Sequence, residues 1–268
     1  MVLGNLRWTV VLLGCAAGTV GLDAQLIDRT ARRGRAAVPA GELSLEKRGD
    51  IFMARKMYRE AGDTYRDAIL QEPDSARLVN KLGISYHQLM LLGSARKQYE
   101  RAWKIDSTYS QALNNLGTVH HAQGNYRKAI RTYKRALKVS PYSASIHSNL
   151  GTSYFAKRRY KDASQAYLRA LELDPEVFET RGTFGTLLQE RSVANLGKYY
   201  YFMAKAYAGV EAWERAILYL RKAMEEGYGN RRKVASDPAF VGMHELPDFQ
   251  RIAFPETLAA AGQGQVQR

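Results

Sequence analysis

The feature that most constrains this chain is a pattern of small and aromatic residues that returns every 34 positions. Glycine recurs at Gly49, Gly83, Gly117 and Gly151. Three more columns share this spacing: Ala61, Ala95, Ala129 and Ala163; Tyr65, Tyr99, Tyr133 and Tyr167; Ala68, Ala102, Ala136 and Ala170. A fifth column holds Pro73, Pro141 and Pro175, with Ser107 in the second copy. Since such periodicity marks repeat architectures, the sequence predicts a stack of four similar units.

Each copy has the pattern of two amphipathic helices joined by a turn. In the third copy, one face of the first helix is spaced i, i+3, i+4, i+7: Leu113, Leu116, Gly117 and His120. Its second helix has an inner stripe of Ala129, Tyr133 and Ala136. Gly124-Asn125 favours the turn between them, and Pro141 ends the second helix. The small residues let the two helices approach closely, and the tyrosine fills the space beside them.

These positions closely resemble the tetratricopeptide repeat, including its 34-residue length. The strong resemblance covers residues 42–175 and gives units of approximately 42–75, 76–109, 110–143 and 144–177. It implies an all-α fold, a right-handed superhelical solenoid of antiparallel helix hairpins. Such a solenoid buries its core between neighbouring units. Arg48 and His147 stand where apolar residues are usual, without altering the assignment.

The repeat phase breaks after Pro175 and resumes 19 residues late. The positions that resume it are Tyr200, Met203, Ala204, Tyr207, Ala216, Leu220 and Ala223. We therefore expect an insert at 178–196 and a fifth unit at 197–230. The insert is either a spacer or additional helix, or a family-specific binding element.

The C-terminal motifs Asp237-Pro238-Ala239-Phe240 and Leu246-Pro247-Asp248-Phe249 are similar to the closing segment of bacterial tetratricopeptide arrays. Asp237-Pro238 suits the start of a short helix, with Asp237 as its N-cap. Phe240, Phe249 and Ile252 are expected to cover the open face of the last unit. We therefore expect a helical cap at 231–254 and a disordered tail at 255–268.

Within the family, positions 2, 5, 9 and 12 of each first helix line the concave groove and position 6 borders it, counting from the first residue of each unit. The resemblance therefore implies a peptide-binding groove lined by Arg77, Asn80, Lys81, His87, Gln111, Asn114, Asn115, Thr118, His121, Ser148, Asn149 and Thr152. An asparagine side chain both donates and accepts, so Asn80, Asn114 and Asn149 form a candidate ladder for an extended peptide. Alternatively, these amides bond to the neighbouring helix. Arg77 and Lys81 both come from one unit, which does not fit the subtype that clamps acidic chaperone tails.

The formal net charge of +14 permits anionic partners but says nothing about the fold. The cations concentrate in unit three, at Arg127, Lys128, Arg131, Lys134, Arg135 and Lys138, and in the turn of unit four, at Lys157, Arg158, Arg159 and Lys161. They are either a solvated surface or a contact for an anionic membrane or polymer. No nucleic-acid module is visible, which argues against nucleic acid as a partner.

The N-terminus reads as an export signal. Arg7 precedes an uncharged, mostly apolar run over 8–22, which is shorter than the roughly 20 residues of a membrane span. We expect a signal peptide at 1–24, a basic flexible linker at 25–41 and a periplasmic or cell-envelope location. The alternatives are a lipoprotein anchored at Cys15, or a cytoplasmic protein if this segment is not a signal.

No catalytic chemistry or cofactor is predicted. No set of nucleophile, base and orienting residue is evident, and the single cysteine excludes a cysteine-based metal site within one chain. His87 and His121 occupy equivalent positions in adjacent units, too far apart to share a metal. The predicted function is a non-catalytic scaffold or adaptor that holds a protein or peptide. The alternatives are a self-assembling envelope component and a basic surface for anionic polymer or membrane.

Overall fold

A computed structural model describes residues 43–178 and 195–254. Across those residues the regular structure is entirely helical. Five helix hairpins follow one another: α1 (Leu45–Ala54) with α2 (Tyr58–Gln71), α3 (Ala76–Gln88) with α4 (Leu92–Ile105), α5 (Ser110–Ala122) with α6 (Tyr126–Val139), α7 (Ala144–Ala156) with α8 (Tyr160–Leu173), and α9 (Leu196–Gly209) with α10 (Trp213–Glu225). Each helix packs on the next along the chain, so the predicted solenoid of hairpins is confirmed. None of these helices is long and apolar enough to cross a membrane.

Several sequence expectations lie outside the described residues. They concern the signal at 1–24, the linker at 25–41, the tail at 255–268 and most of the insert at 178–196.

Close contact between a glycine and a tyrosine holds each of the first four hairpins together. A Cβ atom added to Gly117 would lie 2.5 Å from Cε1 of Tyr133, whose ring is fully buried. The equivalent distance from Gly83 to the Tyr99 ring is 2.6 Å. In the fifth unit Ala204 replaces the glycine and Leu220 replaces the tyrosine, and both are buried. A larger residue on one helix is thus matched by a smaller one on its partner.

Each hairpin turn places one residue in the left-handed region, at position 15 of its unit. The third unit uses Gly124, with φ of 73°. The other units use Lys56, Met90, Arg158 and Glu211, with φ between 57° and 61°. An L-residue in this conformation costs roughly 1–2 kcal/mol. The turn geometry therefore follows from the hairpin packing, and only one unit signals it in the sequence.

The stack continues across the interruption between α8 and α9. Helix α9 packs on α8, as expected if the fifth unit follows the fourth directly in space. Val177 is buried, and the ring of Phe178 lies 5.6 Å from that of Tyr167 and 6.3 Å from that of Tyr207. The core therefore continues between units four and five.

The cap consists of α11 (Arg231–Ser236), a 3-10 helix (Pro238–Met243) and α12 (Pro247–Ala253). Asp237 caps the 3-10 helix, accepting a hydrogen bond from the backbone N–H of Ala239 at 3.0 Å. Phe240 and Phe249 are fully buried, and Phe240 packs 5.7 Å from the ring of Tyr201 in α9. Ile252 is half-buried. These contacts close the apolar end of the fifth unit.

Candidate peptide-binding groove

The first helices of units two to four, α3, α5 and α7, lie side by side, with α3 against α5 and α5 against α7. They carry all twelve residues of the expected groove. Arg77 is exposed, whereas Lys81, His87 and Gln111 are half-buried. The other eight are buried: Asn80, Asn114, Asn115, Thr118, His121, Ser148, Asn149 and Thr152. Much of the polar surface of these helices is therefore used within the stack.

The asparagines link one first helix to the next. Asn115 donates from Nδ2 to Oδ1 of Asn80 at 3.0 Å, and Asn149 donates in the same way to Asn114 at 3.0 Å. In each pair, the donor is at position 6 and the acceptor at position 5 of the preceding unit. Asn115 and Asn149 thus set the spacing between units. Asn80 and Asn114 have their carboxamide oxygens engaged, and Nδ2 of Asn114 has no acceptor among the described residues.

The threonines at position 9 join the two helices of a hairpin. Thr118 accepts a hydrogen bond from the hydroxyl of Tyr133 at 3.2 Å, and Thr152 accepts one from Tyr167 at 3.3 Å. Each threonine also donates to a carbonyl one turn earlier, that of Asn114 and that of Ser148 respectively. These groups are therefore committed to the fold more than to a ligand.

The two basic residues of the groove are paired with carboxylates of the first unit. Lys81 Nζ lies 2.7 Å from both carboxylate oxygens of Asp50 and 2.7 Å from Oε1 of Glu46. Arg77 forms an ion pair with the same Glu46. The positive charge at this end of the groove is thus neutralised inside the array, which does not favour an acidic peptide there.

The two groove histidines are held neutral by burial. Burial lowers the pKa of His121 to about 4, and its Nδ1 lies 2.9 Å from Oγ of Ser153 in the next unit. Burial also lowers the pKa of His87, whose Nδ1 has no partner among the described residues. Neither ring carries a charge at neutral pH, so the middle of the groove is polar and uncharged.

The sequence predicted the groove positions. It did not predict that carboxylates of the first unit pair with the two basic residues of the groove. Glu46 and Asp50 lie 31 residues before Arg77 and Lys81 respectively. The signal was available, since opposite charges stood at positions 5 and 9 of one unit and positions 2 and 6 of the next. Phe155 holds groove position 12 of unit four, but its packing against other aromatic rings was not predicted. Its ring packs 5.3 Å from Tyr160 and 5.8 Å from Tyr199.

The tetratricopeptide repeat family model matches the chain twice, over residues 74–141 and 108–176. These matches cover the α3–α8 hairpins, whose glycine and tyrosine contacts repeat from unit to unit. Together they show that residues 74–176 are tetratricopeptide repeats. The fold supports a role as a protein–protein interaction scaffold.

Solved structures with a similar fold include PilF of Pseudomonas aeruginosa. It is 18% identical, covers 84% of this chain and 96% of its own, and gives a TM-score of 0.51. A crystal structure of MamA is 21% identical over 67% of this chain and 94% of its own, with a TM-score of 0.47. MamA of Desulfovibrio magneticus RS-1 is 17% identical over 68% and 93%, with a TM-score of 0.48. These likenesses concern the fold alone. No curated protein matches the chain significantly.

Proposed function

We propose that this protein is a non-catalytic adaptor that holds an extended segment of another protein in the groove formed by α3, α5 and α7. The observation that supports this most directly is the state of Asn114. Its oxygen is fixed by Asn149, which orients the carboxamide, while Nδ2 has no acceptor among the described residues. An oriented amide donor of this kind suits a backbone carbonyl of a bound peptide.

The groove favours a neutral ligand. The cations at its first end are paired with Glu46 and Asp50, and the histidines are uncharged. Each hydrogen bond to a peptide contributes about 0.5–1.5 kcal/mol net, whereas micromolar affinity needs about 8 kcal/mol. Binding therefore also needs apolar contact, which the half-buried, stacked rings of Tyr160 and Phe202 offer beyond α7.

Site-specific photo-crosslinking tests the groove without disturbing the asparagine pairs. A photoreactive phenylalanine derivative replaces Gln111, which is half-buried on α5, or Gln165, which is exposed on α8. The two variants are exposed to extract of the native host and cross-linked. We expect a defined partner to be labelled from position 111 and not from position 165. Labelling from position 165 alone, or equally from both, would place the partner outside the groove.

We also propose that the protein is exported to the periplasm or cell envelope. The support is the sequence alone, with its basic start and uncharged run at 8–22. The intact mass of the protein from native cells gives the test. Loss of residues 1–24 is expected, a lipid-modified Cys15 would indicate the lipoprotein alternative, and an intact N-terminus would argue against cleavage.

A further inference from the structure

The strongest unused feature of the molecule is a set of six exposed cations on α4 and α6. They form the cationic face, which consists of Lys97, Arg101, Lys104, Arg131, Arg135 and Lys138. The first three and the last three hold equivalent positions in adjacent units, at i, i+4 and i+7 of their helices, so each trio shares one side of its helix.

The two helices present this charge as one surface. The guanidinium of Arg135 on α6 lies 5.7 Å from the ring centre of Trp103 on α4. Burial is the largest cause of the lowered pKa of His120. The charges of Lys128, Arg96 and Arg131 lower this pKa further, whereas that of Glu100 raises it. The positive electrostatic potentials of α4 and α6 therefore overlap at His120.

Carboxylates do not neutralise the cationic face. In residues 43–178 and 195–254, no ion pair includes any of its six members. Residues 110–143 contain six lysines and arginines and no acidic residue. Residues 76–109 also contain six lysines and arginines, and their acidic residues are Glu100 and Asp106. In the flanking units the equivalent positions are Asp63, Asp67 and Leu70 on one side, and Gln165, Arg169 and Glu172 on the other. The face is thus confined to units two and three.

The surroundings of these cations favour a fluid anionic surface over a nucleic acid. Single-stranded nucleic acid needs aromatic faces on which bases stack. Trp103 packs against Arg135, and Tyr154 against Arg159 at 4.6 Å. Among the described residues this leaves Tyr142 as the one strongly exposed aromatic ring, which is too few for successive bases to stack on. Among the six cations, only Arg101, bonded to the carbonyl of Pro73, and Arg135 have a fixed partner in the described part of the chain. Long, exposed side chains without a fixed partner suit headgroup phosphates that can rearrange around them.

One end of the face also carries apolar groups. Lys138 is followed by Val139, which is 37% exposed, and by Tyr142, which is 74% exposed. A tyrosine ring beside a lysine is well placed at the boundary between headgroups and acyl chains, where each side chain keeps its polar end in water. We propose that the cationic face is a docking surface for an anionic phospholipid bilayer. It acts independently of the groove, so the array could hold a protein segment while it rests on a membrane.

The test compares two full-length triple variants with the same change in net charge. Lys97→Gln/Arg131→Gln/Lys138→Gln removes half of the cationic face. Arg55→Gln/Arg59→Gln/Arg232→Gln removes three other exposed cations that form no ion pair within the described residues. Circular dichroism melting verifies that both variants are folded.

Partitioning is measured onto vesicles of phosphatidylcholine with about one-third phosphatidylglycerol and onto vesicles of phosphatidylcholine alone. The readout is the ratio of the two partition coefficients, because the apolar run at 8–22 affects both lipids and all variants alike. Each cation near an anionic bilayer strengthens binding roughly fivefold. We expect the face variant to lower this ratio by on the order of a hundredfold, and the other triple variant by much less. Wild-type binding should weaken steeply between about 50 and 300 mM NaCl.

Three results would overturn the proposal. Equal losses in both variants would show a general effect of net charge. A wild-type ratio near one would show no preference for anionic lipid. Binding to duplex DNA that the face variant abolishes, with vesicle binding unchanged, would assign the face to nucleic acid.

Discussion

At the scale of single residues, the tyrosine at position 24 shows how one substitution alters a repeated contact. The hydroxyl of Tyr133 donates to Thr118, and that of Tyr65 donates to Asp50 at 2.7 Å. In the second unit the residue at that acceptor position is Ile84, and the buried hydroxyl of Tyr99 has no partner within the described residues. A buried hydroxyl without a partner costs about 1–3 kcal/mol.

Replacing these tyrosines by phenylalanine should therefore have opposite effects. Tyr99→Phe removes an unpaired hydroxyl, so we expect a stability gain of about 1 kcal/mol. Tyr133→Phe removes a bonded hydroxyl and leaves Thr118 with one partner fewer, so we expect a loss of about 1 kcal/mol. Urea unfolding of the two variants beside the wild type gives the comparison. Equal losses in both would mean that Tyr99 has a partner, such as an ordered water.

His121 makes a separate prediction about pH. Its folded-state pKa of about 4 lies below the value of about 6.5 expected in the unfolded chain. The stability from the neutral ring is complete above pH 6.5 and is lost as the pH falls towards 4, because the unfolded state then binds the proton first. Between pH 7 and 5 the loss from this residue is about 2 kcal/mol.

His121→Asn provides the matched control, since its side-chain amide can replace Nδ1 in the contact with Ser153. We expect the unfolding free energy of the variant to fall less between pH 7 and 5 than that of the wild type. Parallel pH profiles would show that His121 is not the group responsible.

At the scale of helices, the sequence predicted the features that follow from local periodicity. It did not predict the features that form only when units stack. The hairpins, the contact of Gly117 with Tyr133 and the N-cap at Asp237 follow from residue type and spacing. The left-handed turns at Met90 and Arg158 could not be predicted, because no glycine marks them. The separate roles of Asn114 and Asn115 could not be predicted either. Asn115 donates to Asn80 and Asn114 accepts from Asn149 only when neighbouring units are stacked.

The cap depends on one carboxylate that bonds to two elements. Besides capping the 3-10 helix, Asp237 accepts from the hydroxyl of Tyr201 at 2.7 Å and from Lys205 Nζ at 2.9 Å. Burial alone would raise the pKa of Asp237, but hydrogen bonds from Lys205, Ala239 and Tyr201 outweigh it and lower the pKa. Asp237 thus bonds to polar side chains of α9 that a further unit would otherwise contact.

Removal of this carboxylate should loosen the end of the array. We expect Asp237→Ala to cost about 2–3 kcal/mol, because it removes an N-cap and leaves Lys205 half-buried without its partner. Asp237→Asn should cost less, since asparagine still caps a helix. Hydrogen exchange should then quicken in α9, α10 and the cap before it changes in α3 to α6. Uniform quickening along the chain would show that the units unfold together.

At the scale of the whole molecule, charge is unevenly distributed along the stack. Residues 42–75 have six basic and eight acidic residues, whereas residues 110–143 have six basic residues alone. Like charges on one surface destabilise the compact state through repulsion. The cationic face should therefore lower the stability of the very units that carry the groove.

Salt gives a measurement of this repulsion that needs no ligand. Raising NaCl from about 50 to 300 mM shortens the screening length from about 14 to 6 Å, and so weakens repulsion between exposed cations. At low salt we expect Lys97→Gln/Arg131→Gln/Lys138→Gln to be more stable than the wild type by about 1 kcal/mol, and this difference should shrink as salt rises. Arg55→Gln/Arg59→Gln/Arg232→Gln should respond to salt as the wild type does, because its three cations lie away from the face. If all three proteins have the same urea midpoints at both salt concentrations, the six cations are too widely spaced to repel one another, and a bilayer would meet them as separate charges.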